Sequence, residues 1–391
     1  MVDVWRREFE KWYPGWKLII LNQLNTLKKR DYLESQLQYA NGKAAVIINY
    51  DSIWREPLGK KMMSIPFDVI IADESHRIKS PGGIASRYIA RLGGKIPRRL
   101  ALTGSPLPHS PMDIYSQFRY LDPNIFGWSF TRFRARYAVM GGFSNHQILK
   151  FINLEELHTK MYSISYRVKA EDVLDLPETL DETLTFDLNP AARKVYDSLE
   201  KDLIAEIGDG RVVSVPNVLA KLIKLQQLTG GWLQPDEGTK KRIDRGKAEV
   251  LQDLLEGVGE EPVVIFCHFH GDLDACAEVC DKLKISHAEL SGRKREVQEF
   301  HAKNAQVLIA QIRSGGLGED YTQARFCIFY STGWSLGDLE QARKRVHRPG
   351  QDRKVIYYHL AARNTVDERV AKALAKRQEL VGYIVDELRR K

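Results

Sequence analysis

Four cysteines in 391 residues cannot frame a disulfide-stapled fold, and they point to a reducing compartment. No apolar run approaches the ~18 residues that a membrane-spanning helix needs. The best run, Pro262 to Phe269, has the length of a strand. The opening residues Met1-Val2-Asp3-Val4-Trp5-Arg6-Arg7 lack the apolar segment of a secretory signal, so a cytoplasmic setting is expected. No internal repeat or low-complexity segment is visible, and 43% hydrophobic with 28% charged residues excludes wholesale disorder. Neither sign of charge is scarce: Lys plus Arg number 59 and Asp plus Glu 51, a net +8. That excess permits nucleic-acid binding without demonstrating it. The length exceeds what one hydrophobic core usually serves, so two compact units are expected.

Short β-branched runs alternate with helical patterns, which argues for an α/β fold of parallel sheets covered by helices. The expected strands are Ala45 to Asn49, Asp68 to Ala72, Arg99 to Thr103, Val263 to Cys267, Val307 to Ala310, Phe326 to Tyr330 and Val355 to His359. Trp5, Phe9 and Trp12 recur at helical spacing in a first helix. Thr365 and Glu368 form a possible capping box for a last helix over 365–391. The aromatic and basic stretch 126–166 shows no strand character and is expected to be a helical insertion. A helical protrusion is expected over 188–235. A boundary near Leu176-Pro177 gives units 1–177 and 178–391, the second with its sheet starting after Gly246.

Most of these strands end at residues suited to chemistry, where open α/β sheets place their ligand sites. The run Phe67 to Ala72 delivers Asp73 and Glu74, followed by His76. One carboxylate there can hold Mg²⁺ through water while its neighbour orients or deprotonates an attacking water. An Asp-Glu pair by itself is more often a solvated turn; the preceding strand and His76 favour the chemical reading. Leu100 to Thr103 leads into Gly104-Ser105-Pro106, a second strand ending in hydroxyls. Gln341 to Gln351 holds Arg345 and Arg348, three apart, so that on a helix both project from one face and can reach phosphate oxygens. The plain alternative is a basic helix gripping a nucleic-acid backbone. Upstream, Ser314-Gly315-Gly316-Leu317-Gly318-Glu319-Asp320 offers glycines where backbone amides approach a phosphate closely.

Together these segments resemble the SWI/SNF-type ATPases of helicase superfamily 2, which translocate on double-stranded DNA. Asp73 to His76 matches the DExH box, and Lys79 fits it. Leu102 to Pro106 resembles the third motif, with Ser105 where Thr is usual. Arg167-Val168-Lys169 with Val173 and Leu176-Pro177 resembles the linker between lobes. Gly246-Lys247 resembles the entry to the second lobe, Val264-Ile265-Phe266 the fourth motif, and Trp334 with Gln341 to Gln351 the sixth. The resemblance implies two RecA-like lobes with ATP hydrolysed in the cleft between them. It implies that Asp73 coordinates Mg²⁺, that Glu74 acts on the hydrolytic water, and that Arg345 and Arg348 are arginine fingers. Gly316, Gly318, Asp320, Gln341 and His76 would line the nucleotide site, with His76 and Thr103 coupling it to DNA. Asn49, Tyr50, Lys79, Thr103, Ser314 and Trp334 would lie toward the nucleic acid. Strand separation is not expected, because the family mostly translocates without unwinding. A general RNA helicase is disfavoured by Gln351, where that class has Arg.

The departures are as informative. No Gly-x-x-x-x-Gly-Lys-Ser/Thr occurs; the Gly-Lys pairs at 42–43, 59–60, 94–95 and 246–247 lack the second glycine and the hydroxyl. In the family this phosphate loop, with its strand, lies before the helix that carries Trp5. The first lobe is therefore expected to lack its first strands and nucleotide cradle, to bind ATP poorly alone, and to expose strand edges. The favoured explanation is a fragment of a longer product; the alternative is an ATPase-deficient remnant binding DNA or a partner, with the missing segment supplied in cis or in trans. Glu319 stands where an apolar residue is usual, Asp320 where Asn is, and Lys344 where an acid is common. Cys267, His268, His270, Cys276 and Cys280 invite a zinc reading, but their spacing suits buried small residues better. Trp5, Trp12 and Trp16 suit a helix stripe better than base stacking. Arg132, Arg134, Arg136 and Tyr137 fit a DNA-facing protrusion and an ordinary solvated helix equally. The compact chain, without appended domains, leans toward a bacterial or phage protein.

Overall fold

The computed structural model describes residues 2–40, 42–142, 147–168, 170–208, 215–233, 241–315 and 319–385. The chain divides into two compact units, one formed by residues up to Arg167 with the tail from Glu379, the other by Val168–Gln378. This division falls some residues before Leu176-Pro177, and it returns the end of the last helix to the first unit. No helix among the described residues is long and apolar enough to cross a membrane.

In the first unit, strands β1 (Lys17–Ile20) and β2 (Ala44–Ile47) pair in parallel, as do β3 (Val69–Asp73) and β4 (Arg98–Leu102). The helices Thr26–Leu37 and Ile84–Gly93 provide the crossovers that parallel pairing requires. The core joins Ile19, Leu33, Leu58, Ala72, Ile78, Ile89 and Tyr120. The Tyr120 hydroxyl lies 2.8 Å from the carbonyl of Ile70 and 3.0 Å from that of Leu100, so one phenol fastens both β3 and β4. Val69, Ile71, Leu100 and Leu102 alternate onto the other face of this pair and are exposed.

The stretch 126–166 is not wholly helical. Strands β5 (Ala138–Gly141) and β6 (Gln147–Phe151) form an antiparallel hairpin between the helices Phe130–Tyr137 and Leu154–Tyr162. A register shift at Val139/Met140 and the interspersed Gln147 and Lys150 obscure its alternation in the sequence. Its core is aromatic: Phe126 meets Phe133 edge-on at 5.2 Å, and Phe133 meets Tyr137 at 4.9 Å. Leu380 and Val381 pack against this cluster.

The second unit carries a six-stranded sheet built from β7 (Thr179–Phe186), β10 (Val263–Cys267), β11 (His287–Leu290), β12 (Val307–Gln311), β13 (Phe326–Phe329) and β14 (Val355–Ala362). A short antiparallel pair, β8 (Trp232–Leu233) and β9 (Lys241–Arg242), lies between β7 and β10 in sequence. The sheet order is β11-β12-β10-β13-β14-β7, and every pairing is parallel. All five residues of β10 are buried, as befits a central strand covered on both faces. One apolar layer gathers Val264, Phe266, Leu308, Ala342 and Val346; the other gathers Ile265, Cys267, Cys276, Ile309 and Ile328. Cys267, Cys276 and Cys280 belong to this second layer, with the first two sulfurs 3.6 Å apart and all three thiols pushed up by burial, so they stay neutral.

All seven strands expected from the sequence are present, shifted at their ends by no more than three residues. The helices Pro190–Gly208 and Val215–Thr229 fall within the stretch 188–235. At the last helix, Val366–Val385, the Thr365 hydroxyl accepts from the Asp367 amide at 3.2 Å and the Glu368 carboxylate from the Asn364 amide at 3.1 Å.

Candidate functional site

In the first unit Asp73 is the last residue of β3, and Glu74 follows in the left-handed region at φ 49° and ψ 51°. A non-glycine residue held there costs about 1 kcal/mol, which the surroundings must offset. Several bonds hold the turn. The Ser75 hydroxyl donates to Gln117 Oε1 at 2.8 Å, and the Gln117 amide donates to the carbonyls of Pro106 and Asp113 at 2.7 and 2.9 Å. One buried glutamine therefore ties the acid turn to the loop after β4. His76 Nδ1 lies 3.2 Å from a Glu74 carboxylate oxygen and 3.2 Å from Thr103 Oγ1. Thr103 Oγ1 in turn accepts from the Ser105 amide at 3.1 Å. The structure thus brings Glu74, His76 and Thr103 into one chain of contacts across the ends of β3 and β4.

Two residues grip Asp73 itself. The Trp5 indole Nε1 donates to Oδ2 at 3.3 Å, and the Tyr50 hydroxyl donates to the Asp73 carbonyl at 2.6 Å. Burial, and then the nearby Asp73, push the Tyr50 phenol well above its ordinary value, so it stays protonated as a donor. Asn49 is exposed beside it. Lys79 follows the short helical turn Ser75–Ile78, and its charge acts on Asp113, whose carboxyl desolvation raises.

A carboxylate at a strand end suits a Mg²⁺ ion that arrives with phosphate oxygens and keeps several waters. Asp73, the last residue of β3, is the residue that would hold it.

In the second unit, the helix Leu336–Val346 ends before Arg348, so helical spacing is not what aligns the two arginines. The turn after His347 brings them together instead. Arg345 Nη1 and Arg348 Nη1 both donate to the Glu319 carbonyl, at 3.5 and 3.4 Å. Arg348 Nε lies 3.7 Å from Asp320 Oδ2, while Asp320 Oδ1 accepts from the Thr322 amide at 3.0 Å. The Glu319 side chain faces Arg295 at 3.4 Å and His301 at 3.7 Å, an ionic anchoring that an apolar residue would not give. Gln351, buried, donates to the carbonyls of Ala324 and Thr322 at 2.8 and 3.1 Å and so pins the turn that carries Arg348. Gln341 lies on the same helix, half-buried, and the Trp334 carbonyl accepts from Arg377. Gly316 and Gly318 lie outside the described residues. Ser314 sits in the short helix Ile312–Gly315 after β12.

A third set was not legible in the sequence. Arg343 forms a two-pronged ion pair with Asp181 of β7, His359 Nε2 is 3.1 Å from the same carboxylate, and His347 Nε2 is 2.8 Å from the Pro177 carbonyl. Arg343 also lies 3.8 Å over the Tyr357 ring. The Asp181 and Pro177 contacts join residues over 160 apart and carry no local motif.

Two family models match the chain. A model described as the SNF2-related domain matches residues 1–230, and one described as the helicase conserved C-terminal domain matches 246–350. Similar curated proteins include an uncharacterized ATP-dependent helicase of Mycoplasma genitalium, 26% identical over 96% of this chain and 36% of that protein. The bovine DNA annealing helicase and endonuclease ZRANB3 is 25% identical over 97% of this chain and 35% of its own length. The chain thus spans about a third of these relatives. Among solved structures, the Sulfolobus solfataricus SWI2/SNF2 ATPase core in complex with dsDNA is 21% identical, with a TM-score of 0.42 over 97% of this chain and 79% of the other.

Proposed function

The chain belongs to the SNF2-related family, and from that premise we propose that it is an ATP-driven motor that moves along double-stranded DNA without separating its strands. The single observation that carries this reading is the contact chain Glu74–His76–Thr103. It links an acid suited to activating water with a second strand end, so that a change at one strand end reaches the other. In this reading Asp73 would hold Mg²⁺, which would supply charge neutralisation at the phosphates. Glu74 orients the attacking water, and Arg345 and Arg348 meet the charge that develops on the transferred phosphoryl group. Asp320 and Gln341, with Gly316 and Gly318, attend the nucleotide. Asn49, Tyr50, Lys79, Thr103, Ser314 and Trp334 attend the DNA backbone. Backbone contacts confer weak sequence preference and steep salt dependence.

A second reading is favoured by the absence of Gly-x-x-x-x-Gly-Lys-Ser/Thr from these 391 residues. In that reading these residues hold nucleotide weakly and bind DNA or a partner without hydrolysing ATP. Phosphate release at millimolar ATP separates the two. The motor predicts turnover that rises on adding duplex DNA and barely responds to single strands. Duplex binding with no release at any ATP concentration would establish the second reading instead.

A further inference from the structure

We propose that Trp5 and Tyr50 form an aromatic clamp that sets the orientation of Asp73, a positioning role for two residues far from it in sequence. The inference rests on the reading of Asp73 as part of the nucleotide site. Asp73 meets three donors from three places: the Trp5 indole on Oδ2 at 3.3 Å, its neighbour's amide (Glu74 N) on Oδ1 at 3.0 Å, and the Tyr50 hydroxyl on its carbonyl at 2.6 Å. The carboxylate is partly exposed at a strand end and would otherwise rotate.

The chemistry of the donors fits the task. An indole N–H carries no charge, so it fixes the carboxylate without neutralising it, as lysine or arginine would, while the phenol holds the carbonyl of the same residue. Indole has a donor and no acceptor, so it cannot compete with the carboxylate for a cation. Each Asp73 oxygen keeps a lone pair for a water or an ion. Outer partners of this kind orient metal-holding carboxylates. Packing alone does not explain Trp5: Phe9, Tyr13 and Trp16 contact one another at 5.2 to 6.2 Å, and Trp5 makes no ring contact with that group. Tyr50 also comes from the Asn49-Tyr50 segment assigned above to the DNA side, so a shift of that segment would be felt at the Asp73 carbonyl.

The test uses the full chain. Its seven tryptophans give seven indole ¹⁵N–¹H signals, and Trp5→Phe identifies one of them by its disappearance. Asp73→Asn, a weaker acceptor, should move that signal upfield and leave the others in place. Trp5→Phe and Tyr50→Phe should each lower kcat for DNA-stimulated phosphate release about 10-fold, with KM and thermal midpoint unchanged. If Trp5→Phe lowers the midpoint, Tyr50→Phe, which keeps its ring, decides. An indole signal indifferent to Asp73→Asn, or full kcat in the Phe variants, overturns the clamp alone. Absence of hydrolysis in the unsubstituted chain overturns the motor reading, and with it the role given to the clamp, whatever the indole signal does.

Discussion

Lys247 offers the sharpest test of how the second unit is held together. Its ammonium, on a side chain 1% exposed, lies 2.8 Å from Asp367 Oδ2. The Phe186 and Tyr330 rings lie 5.9 and 5.6 Å away. Asp367 also accepts from the Thr229 hydroxyl at 2.8 Å and the Ala362 amide at 3.2 Å. The pair therefore fastens the helix Gly246–Val258 to the start of the last helix and the end of β14. Replacing Lys247 by Met keeps the aliphatic stem against the rings and removes the charge. Breaking one side of a buried pair costs roughly 3–5 kcal/mol, because the remaining carboxylate is left uncompensated. Two neutral donors persist at Asp367, which places the expected loss at the lower end, about 3 kcal/mol. Converting Asp367 to Asn in the same chain removes the stranded charge and should recover about half of the loss. Native-state hydrogen exchange of the amides in 246–258 reads the effect locally, without requiring the two units to unfold together. A loss below about 1 kcal/mol in Lys247→Met, or no recovery in the double variant, would refute the argument that losing Lys247 strands a buried carboxylate.

Gln351→Leu should loosen the Arg348 turn by stranding the carbonyls of Thr322 and Ala324, lowering unit stability by about 1–3 kcal/mol in urea unfolding. Asp181 is held well below the ordinary carboxylate value: desolvation opposes ionisation, but hydrogen bonds from His359 and Arg343 outweigh it. Its folded pKa is depressed, so its contribution is present above the unfolded carboxylate pKa and is lost as pH falls toward the folded value. With Asp181 nearly half exposed, that contribution is at most about 1 kcal/mol, and Asp181→Asn should flatten the acid limb of a stability–pH curve by that much. Duplex affinity should fall steeply between about 50 and 200 mM salt, and a flat dependence would argue against backbone contacts.

The fold was legible where burial is two-sided. Val263–Cys267 and Phe326–Phe329 read as unbroken apolar runs because helices cover both faces of their sheet. Edge strands were not legible: Thr179–Phe186 mixes Thr, Asp and Glu, and its pairing depends on a partner about 175 residues away. The hairpin at 138–151 was hidden by its register shift and its polar residues. At the candidate site, Asp73, Glu74 and Arg345 were readable because their chemistry is local to a strand end or a helix. Arg348 was readable by spacing for the wrong reason, since it lies beyond the helix and is placed by Gln351. The contact of Trp5 with Asp73 spans 68 residues and has no sequence signature, which is why Trp5 reads as part of a packing stripe.

The proposed hydrolysis assigns Glu74 to the attacking water and Arg348 to the charge that develops on the phosphoryl group. Single-turnover phosphate release with duplex DNA tests it through Glu74→Gln, Arg348→Ala and the two combined. Groups that serve one transition state are grossly non-additive, so each single variant should lose roughly 10³-fold or more and the double variant little beyond that. Two small losses that simply multiply, or full turnover without either residue, would contradict the account.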